Sequence, residues 1–88
     1  MTYILAVIGS VTTASRLKHL TEQMGCKEVR VIHTPTAIHS GGCSYSVKVP
    51  EKCRLLLTEA ISKSGIKIKE LYREAIENGE SVYIDISG

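Results

Sequence analysis

The chain of 88 residues contains no tryptophan and no phenylalanine, and its aromatic residues are four tyrosines. A hydrophobic core must therefore be aliphatic, which 43% hydrophobic residues and an ordinary charged fraction of 23% allow. The length suffices for one compact domain and is too short for two. We therefore expect a single domain over residues 1–88, with a core over about 3–72 and a C-terminal extension over 73–88.

The chain also lacks a basic cluster and a long apolar run. Its net charge is +2, and its Lys and Arg residues are scattered, whereas nucleic-acid binding usually requires a basic patch. The opening Met-Thr-Tyr-Ile-Leu-Ala-Val-Ile-Gly has no positive start and is too short for a signal peptide or a membrane span. We expect neither nucleic acid nor a membrane as partner, and a cytoplasmic location.

The residue sets of common hydrolytic and metal sites are absent as well. The only aspartate is Asp85, so a cysteine nucleophile near the middle of the chain would lack a base with an orienting acid. The first arginine after Cys43 is Arg54, too far on for the arginine of a cysteine phosphatase loop. No Cys-x-x-Cys or His-x-x-x-His pair of the zinc type occurs. We expect no metal and no cofactor.

Three cysteines without regular spacing do not form a disulfide framework. In a reducing cytosol we expect free thiols. Cys53 falls on the apolar face of a predicted helix and should belong to the core. Cys26 follows the glycine that ends another predicted helix, and we interpret it as incidental. The alternative is a disulfide between Cys26 and Cys43.

Apolar periodicity predicts six elements before the C-terminus. In chain order they are a strand over 3–8, a helix over about 14–24 ended by Gly25, a strand over 27–33, a strand from about 44 to 49, a helix from Pro50 to about 64 ended by Gly65, and a strand over 66–72. Their simplest packing is an α+β, ferredoxin-like βαββαβ sandwich, with a four-stranded antiparallel sheet and two helices on one face. That fold hosts many activities, so it does not identify one.

The C-terminal residues allow two interpretations. Asn78-Gly79 is a tight-turn signal, and Val82, Ile84 and Ile86 alternate with polar residues, which predicts a short fifth strand. Alternatively, residues 71–76 fit one face of a helix that Gly79 would end. We prefer the strand.

The loop from His33 to Tyr45 is where the residues suggest chemistry. It delivers Cys43 directly after Gly41-Gly42. Glycines allow close approach of the backbone to a ligand, and successive N–H groups there can form an anion-binding nest. Such a nest would favour the thiolate, which is the nucleophilic form. We therefore assign Cys43 as the candidate reactive residue.

Three further residues of this loop could support the thiol. His39 is a candidate hydrogen-bond donor or proton shuttle, and Ser40 and Ser44 supply hydroxyl donors. In the structural alternative, the glycines simply form a turn, and Cys43 is a small buried residue at the start of a strand.

The elements Thr34-Pro35, Ile38-His39-Ser40 and Gly42-Cys43-Ser44-Tyr45 resemble the corresponding loop of the selenium/sulfur carrier-like protein family. The similarity in layout extends over roughly residues 3–72. The chain differs from the common family pattern in carrying Ser44, rather than glycine, directly after the cysteine.

The resemblance implies that Cys43 accepts a persulfide or selenopersulfide from a desulfurase-type protein donor and passes it to an acceptor protein. Pro35, His39, Ser40, Gly41, Gly42 and Ser44 would support it. Two other functions stay open. One is a binding or assembly module, which could pair through sheet edges or faces or hold a small anion in the loop, and the other is a thiol redox protein using Cys43 with Cys26. A sheet edge that must be covered also makes a homodimer a reasonable expectation. We favour a carrier over a multi-turnover enzyme.

Overall fold

The computed structural model describes residues 2–38 and 44–87. Its elements are β1 (Thr2–Ile8), α1 (Val11–Gln23), β2 (Arg30–His33), β3 (Tyr45–Pro50), a one-turn 3-10 helix (Glu51–Cys53), α2 (Arg54–Ser64), β4 (Glu70–Glu77) and β5 (Glu80–Asp85). The strands form an antiparallel sheet in the order β2-β3-β1-β4-β5. The first four strands agree with the predicted ferredoxin-like arrangement. The predicted four-stranded sheet is wrong in number, because β5 adds a fifth strand.

β1 is the centre of the sheet, because it pairs with β3 on one side and with β4 on the other. Its residues Ile4–Ile8 are at most 2% exposed, as a continuous apolar run predicts. The core cluster joins alternate residues of β1 to both helices and includes Ile4, Ala6, Ile8, Leu17 and Leu57. Strand alternation turns Leu5 and Val7 to the opposite side of the sheet. We call that side, which also carries Lys48 and Glu74, the second face.

The helix ends follow from local chemistry. The Ser10 hydroxyl accepts a hydrogen bond from the Thr13 N–H at 3.4 Å, so α1 begins at Val11. The predicted start of the second helix at Pro50 is wrong. Pro50 is the last residue of β3, with φ −63° and ψ 155°, and the 3-10 helix begins after it. The fixed φ of proline suits an extended residue as well as a helical one. The prediction for Gly65 is confirmed, since it ends α2 with φ 71°.

The C-terminal segment is a hairpin. β4 continues to Glu77, beyond the predicted end at Tyr72, and pairs with β5 along its length. Asn78 and Gly79 have φ of 53° and 79°, the paired positive values that two-residue hairpin turns of type I′ require. The fifth strand is thus confirmed, and the alternative helix is wrong.

Cys26 and Cys53 form a disulfide, with a Cα–Cα distance of 5.9 Å. Cys53 is 5% exposed, which confirms its place in the core, and Cys26 is 1% exposed. The prediction of free thiols is therefore wrong for Cys26 and Cys53, and so is the interpretation of Cys26 as incidental. The reason is tertiary: α1 and α2 pack side by side, which brings the end of one helix to the start of the other. None of the described helices is long and apolar enough to cross a membrane.

Candidate functional site

The structure describes both ends of the candidate loop, where it leaves β2 and enters β3. His33 lies opposite Tyr45 in the strand register, with 5.0 Å between ring centroids. The Thr34 N–H donates a hydrogen bond to the Ser44 carbonyl at 3.1 Å. The hydroxyls of Thr34 and Ser46 share a hydrogen bond of 2.9 Å. These contacts hold the two ends of the loop together.

The predicted site residues divide into two groups. Cys43, with His39, Ser40, Gly41 and Gly42, lies outside the described residues, so their roles remain predictions. Pro35 and Ser44 are described. The Pro35 carbonyl accepts a hydrogen bond from the Ile38 N–H at 2.9 Å, which closes a turn. Ser44 is 5% exposed, and its backbone carbonyl contributes to the base of the loop.

Ser46 of β3 is fully buried on the second face, opposite Val7 of β1. Its hydroxyl is satisfied by Thr34, as a buried polar group requires. The second face is therefore buried near the loop, and it includes the polar Ser46 beside the apolar Val7.

The N-terminus of α1 lies at the same end of the sheet as this loop. The last residue pair between β1 and β3 joins Ile8 to Tyr45, and the chain beyond Ile8 continues through Gly9 and Ser10 into α1. The first turn of α1 contains no acidic residue. Its unpaired backbone N–H groups therefore contribute partial positive charge at this end.

Lys69 adds a full positive charge at this end. The backbone N–H of Lys69 donates a hydrogen bond to the Val7 carbonyl at 2.8 Å. A Cβ atom built on Gly9 would lie 3.2 Å from Lys69 Cε and 3.5 Å from Nζ, so the ammonium group packs against Gly9, two residues before α1 begins. Sequence reasoning missed this residue, because Lys69 is 26 positions from Cys43 and belongs to no motif.

A second group of polar side chains, also missed from the sequence, lies on the second face. Glu74 is 5% exposed although it is charged. Its Oε1 lies 2.9 Å from Lys48 Nζ, and its Oε2 accepts a hydrogen bond from the Tyr83 hydroxyl at 2.7 Å. Lys48 Nζ also lies 4.4 Å from the centre of the Tyr3 ring. The four side chains therefore form one connected network.

The network changes the pKa values of Glu74 and Tyr83. Burial by itself would raise the pKa of Glu74, but the hydrogen bonds from Tyr83 and Lys48 and the charge of Lys48 outweigh it, so the pKa is lowered. Burial, and then the hydrogen bond to Glu74, raise the pKa of Tyr83. Glu74 is therefore an ionised carboxylate at neutral pH, and Tyr83 is a neutral donor.

These features define the protein as an α+β domain with a split βαβ core, an internal disulfide and a loop that is closed at its base where α1 begins. A family model described as "Putative Se/S carrier protein-like" matches residues 3–73. The chain belongs to this family, and the resemblance seen in the loop residues is confirmed. The matched residues end within β4, so β5 lies beyond them. No curated protein matches the chain.

Proposed function

We propose that the protein carries sulfur or selenium as a persulfide or selenopersulfide on Cys43. The observation that carries this proposal is membership of the Se/S carrier-like family over residues 3–73, a range that includes the loop. Carriage implies two protein partners, a donor and an acceptor, whose reacting groups must both reach the loop.

The loading step is a thiol exchange in which no net oxidation occurs. The Cys43 thiolate attacks the outer sulfur of a donor persulfide, a new S–S bond forms, and the donor cysteine leaves as a thiolate. In the unloading step a nucleophile of the acceptor attacks the same outer sulfur, and Cys43 leaves as the thiolate. Both steps depend on the fraction of Cys43 that is ionised, because the thiolate is the nucleophile.

The charges near Ser44 support such an ionised thiol. Cys43 directly precedes Ser44 in the chain, and Ser44 lies at the end of the sheet where α1 begins and where Lys69 packs over Gly9. A helix N-terminus and a nearby ammonium group both lower the pKa of a thiol. These charges would stabilise an anionic sulfur brought to this end of the sheet.

The disulfide supports the choice of Cys43 among the three cysteines. Cys26 and Cys53 are bonded to each other, so Cys43 is the cysteine that remains to carry a sulfur atom. The same bond argues against the alternative redox pair of Cys43 with Cys26, because that pair would first require Cys26 to be released from Cys53.

Intact-protein mass spectrometry tests the proposal after incubation with a cysteine desulfurase and cysteine. The wild type should gain one sulfur atom that a thiol reductant removes, and Cys43→Ser should gain none. The Cys26→Ala/Cys53→Ala double variant is the matched control and should load as the wild type does. Loading of Cys43→Ser to the same extent as the wild type would refute the proposal. Selenocysteine as the substrate then distinguishes selenium transfer from sulfur transfer.

A further inference from the structure

A cleft of about 340 Å³ opens beside the edge strand β2, away from the loop. It is lined by Tyr3, Lys27, Glu28, Val29, Arg30 and Lys48. Arg30 and Lys48 are each three residues along their strands from the loop ends His33 and Tyr45, which is about 10 Å at the usual rise of a strand. Its volume falls in the range of small-molecule sites. The cleft is therefore distinct from the base of the loop, where His33 lies opposite Tyr45.

The lining of the cleft is positively charged. Three cationic side chains and one carboxylate give the lining residues a net charge of +2. Arg30 lies directly opposite Lys48 in the register of β2 and β3, and like charges directly opposite each other destabilise a sheet. The arrangement therefore costs stability unless an anion compensates it.

Glu74 compensates Lys48, but among the described residues the nearby carboxylates leave Lys27 and Arg30 uncompensated. Glu28 pairs with Lys52, which does not line the cleft, at 3.7 Å, and Glu74 is occupied by Lys48 and Tyr83. Within residues 2–38 and 44–87, neither Lys27 nor Arg30 forms a salt bridge with a carboxylate.

Lys48 is held in place before any ligand arrives. Its ammonium lies between the Glu74 carboxylate and the Tyr3 ring, at 2.9 Å and 4.4 Å, and its side chain is 26% exposed. An ammonium has three N–H donors, so the contact with Glu74 leaves others for a ligand. The Arg30 guanidinium adds a planar pair of donors that matches two oxygens of one anion.

We propose that this cleft binds a small phosphate-bearing ligand. Arg30 and Lys27 contact the phosphate oxygens, and Lys48 donates a further hydrogen bond to them. A phosphomonoester carries a charge of about −1.5 to −2 at pH 7 and three terminal oxygens. This charge suits Lys27 and Arg30, the two lining cations that form no salt bridge within the described residues, with Lys48 as a further donor. Tyr3 also lines the cleft. This binding is separate from sulfur or selenium transfer and does not involve Cys43.

Titration of ¹⁵N-labelled protein with inorganic phosphate tests the site by NMR, at constant ionic strength because salt screens exposed charges. We expect saturable shifts of the amides of residues 27–30 and of Lys48. Arg30→Gln should raise the Kd by about tenfold, the loss expected for one charge-assisted contact. Arg16→Gln is the matched control, because Arg16 is an exposed arginine of α1 and its substitution changes the net charge equally. It should leave the Kd unchanged.

Three results would overturn the proposal: shifts that do not saturate, equal shifts on titration with chloride, or an equal rise of the Kd in Arg30→Gln and Arg16→Gln. Lys27→Gln serves as a second variant, so that the conclusion does not depend on the folding of Arg30→Gln alone. Cys43→Ser should bind phosphate as the wild type does. A loss of sulfur loading in that variant together with unchanged phosphate binding would separate the two proposals.

Discussion

Reduction of the disulfide between Cys26 and Cys53 is expected to lower the free energy of unfolding substantially. The bond closes a loop with a sequence separation of 27 residues. The loop-closure entropy that it removes from the unfolded chain corresponds to about 3.5 kcal/mol at 25 °C. Both cysteines are at most 5% exposed, so the reduced thiols would stay packed in the native protein. The effect should therefore arise mainly in the unfolded state.

Guanidinium and thermal unfolding of the Cys43→Ser variant measure this effect, because that variant prevents disulfide exchange with the third cysteine. The oxidised and phosphine-reduced forms are compared. For a chain of 88 residues the loss corresponds to a fall in Tm of roughly 15–20 °C. The Cys26→Ala/Cys53→Ala double variant is the control, and its unfolding midpoint should not respond to the reductant.

Two results would contradict this reasoning. One is an unchanged midpoint in the reduced protein, with mass spectrometry after alkylation showing that Cys26 and Cys53 are both free. The other is alkylation of all three cysteines in the native protein without any reductant. The first would show that the loop-closure entropy is offset elsewhere, and the second that the bond does not form.

The remaining predictions concern the core, the network on the second face and the C-terminal turn. Leu57→Ala should lower the free energy of unfolding by about 2–5 kcal/mol, because Leu57 is fully buried between α2 and the sheet. Leu55 of the same helix is 80% exposed, so the control variant Leu55→Ala should change the free energy of unfolding by less than about 0.5 kcal/mol. The lowered pKa of Glu74 stabilises the fold above the ordinary glutamate pKa of about 4.3, and this contribution is lost as the pH falls through the lower pKa of the folded state. Glu74→Gln should therefore be less stable than the wild type at pH 7 and should lose less stability on acidification, and parallel pH profiles of the two proteins would exclude this role. Gly79→Ala should lower stability by about 1–2 kcal/mol, because Gly79 has φ 79° and an alanine is strained there; equal unfolding midpoints would argue against the turn.

The parts of the fold that sequence reasoning predicted well depend on local patterns. The apolar run of β1 and the glycine that ends α2, Gly65, are such patterns, because each depends on residues that are close together in the sequence. The prediction failed at Pro50, whose φ fits both a strand end and a helix start. At the C-terminus, residues 71–76 fit a helical face as well as a strand, and pairing of β4 with β5 decided between the two.

The residues of the candidate site also fall into a group that the sequence predicts and a group that only the fold brings together. The glycine pair and the cysteine of the loop stand next to one another in the sequence, so the candidate could be named without a structure. Lys69 and the start of α1 could not be connected with the loop, since β1 and β3 must first pair before these elements meet. A glutamate in a strand, such as Glu74, ordinarily indicates a solvated position, and nothing local predicted its burial beside Lys48.

The amino-acid sequence by itself therefore determined the order of the elements, the aliphatic core, the loop that carries Cys43 and membership of the family. The first three properties follow from residue type and short-range periodicity, which a chain displays before it folds. Family membership follows from the match over residues 3–73. The tertiary structure alone decided the pairing of Cys26 with Cys53, the burial of Ser46 and Glu74, and the convergence of Arg30 and Lys48 on one cleft. Each of these contacts joins residues that are distant in the chain, and they depend on strand register and helix packing, which no local pattern encodes.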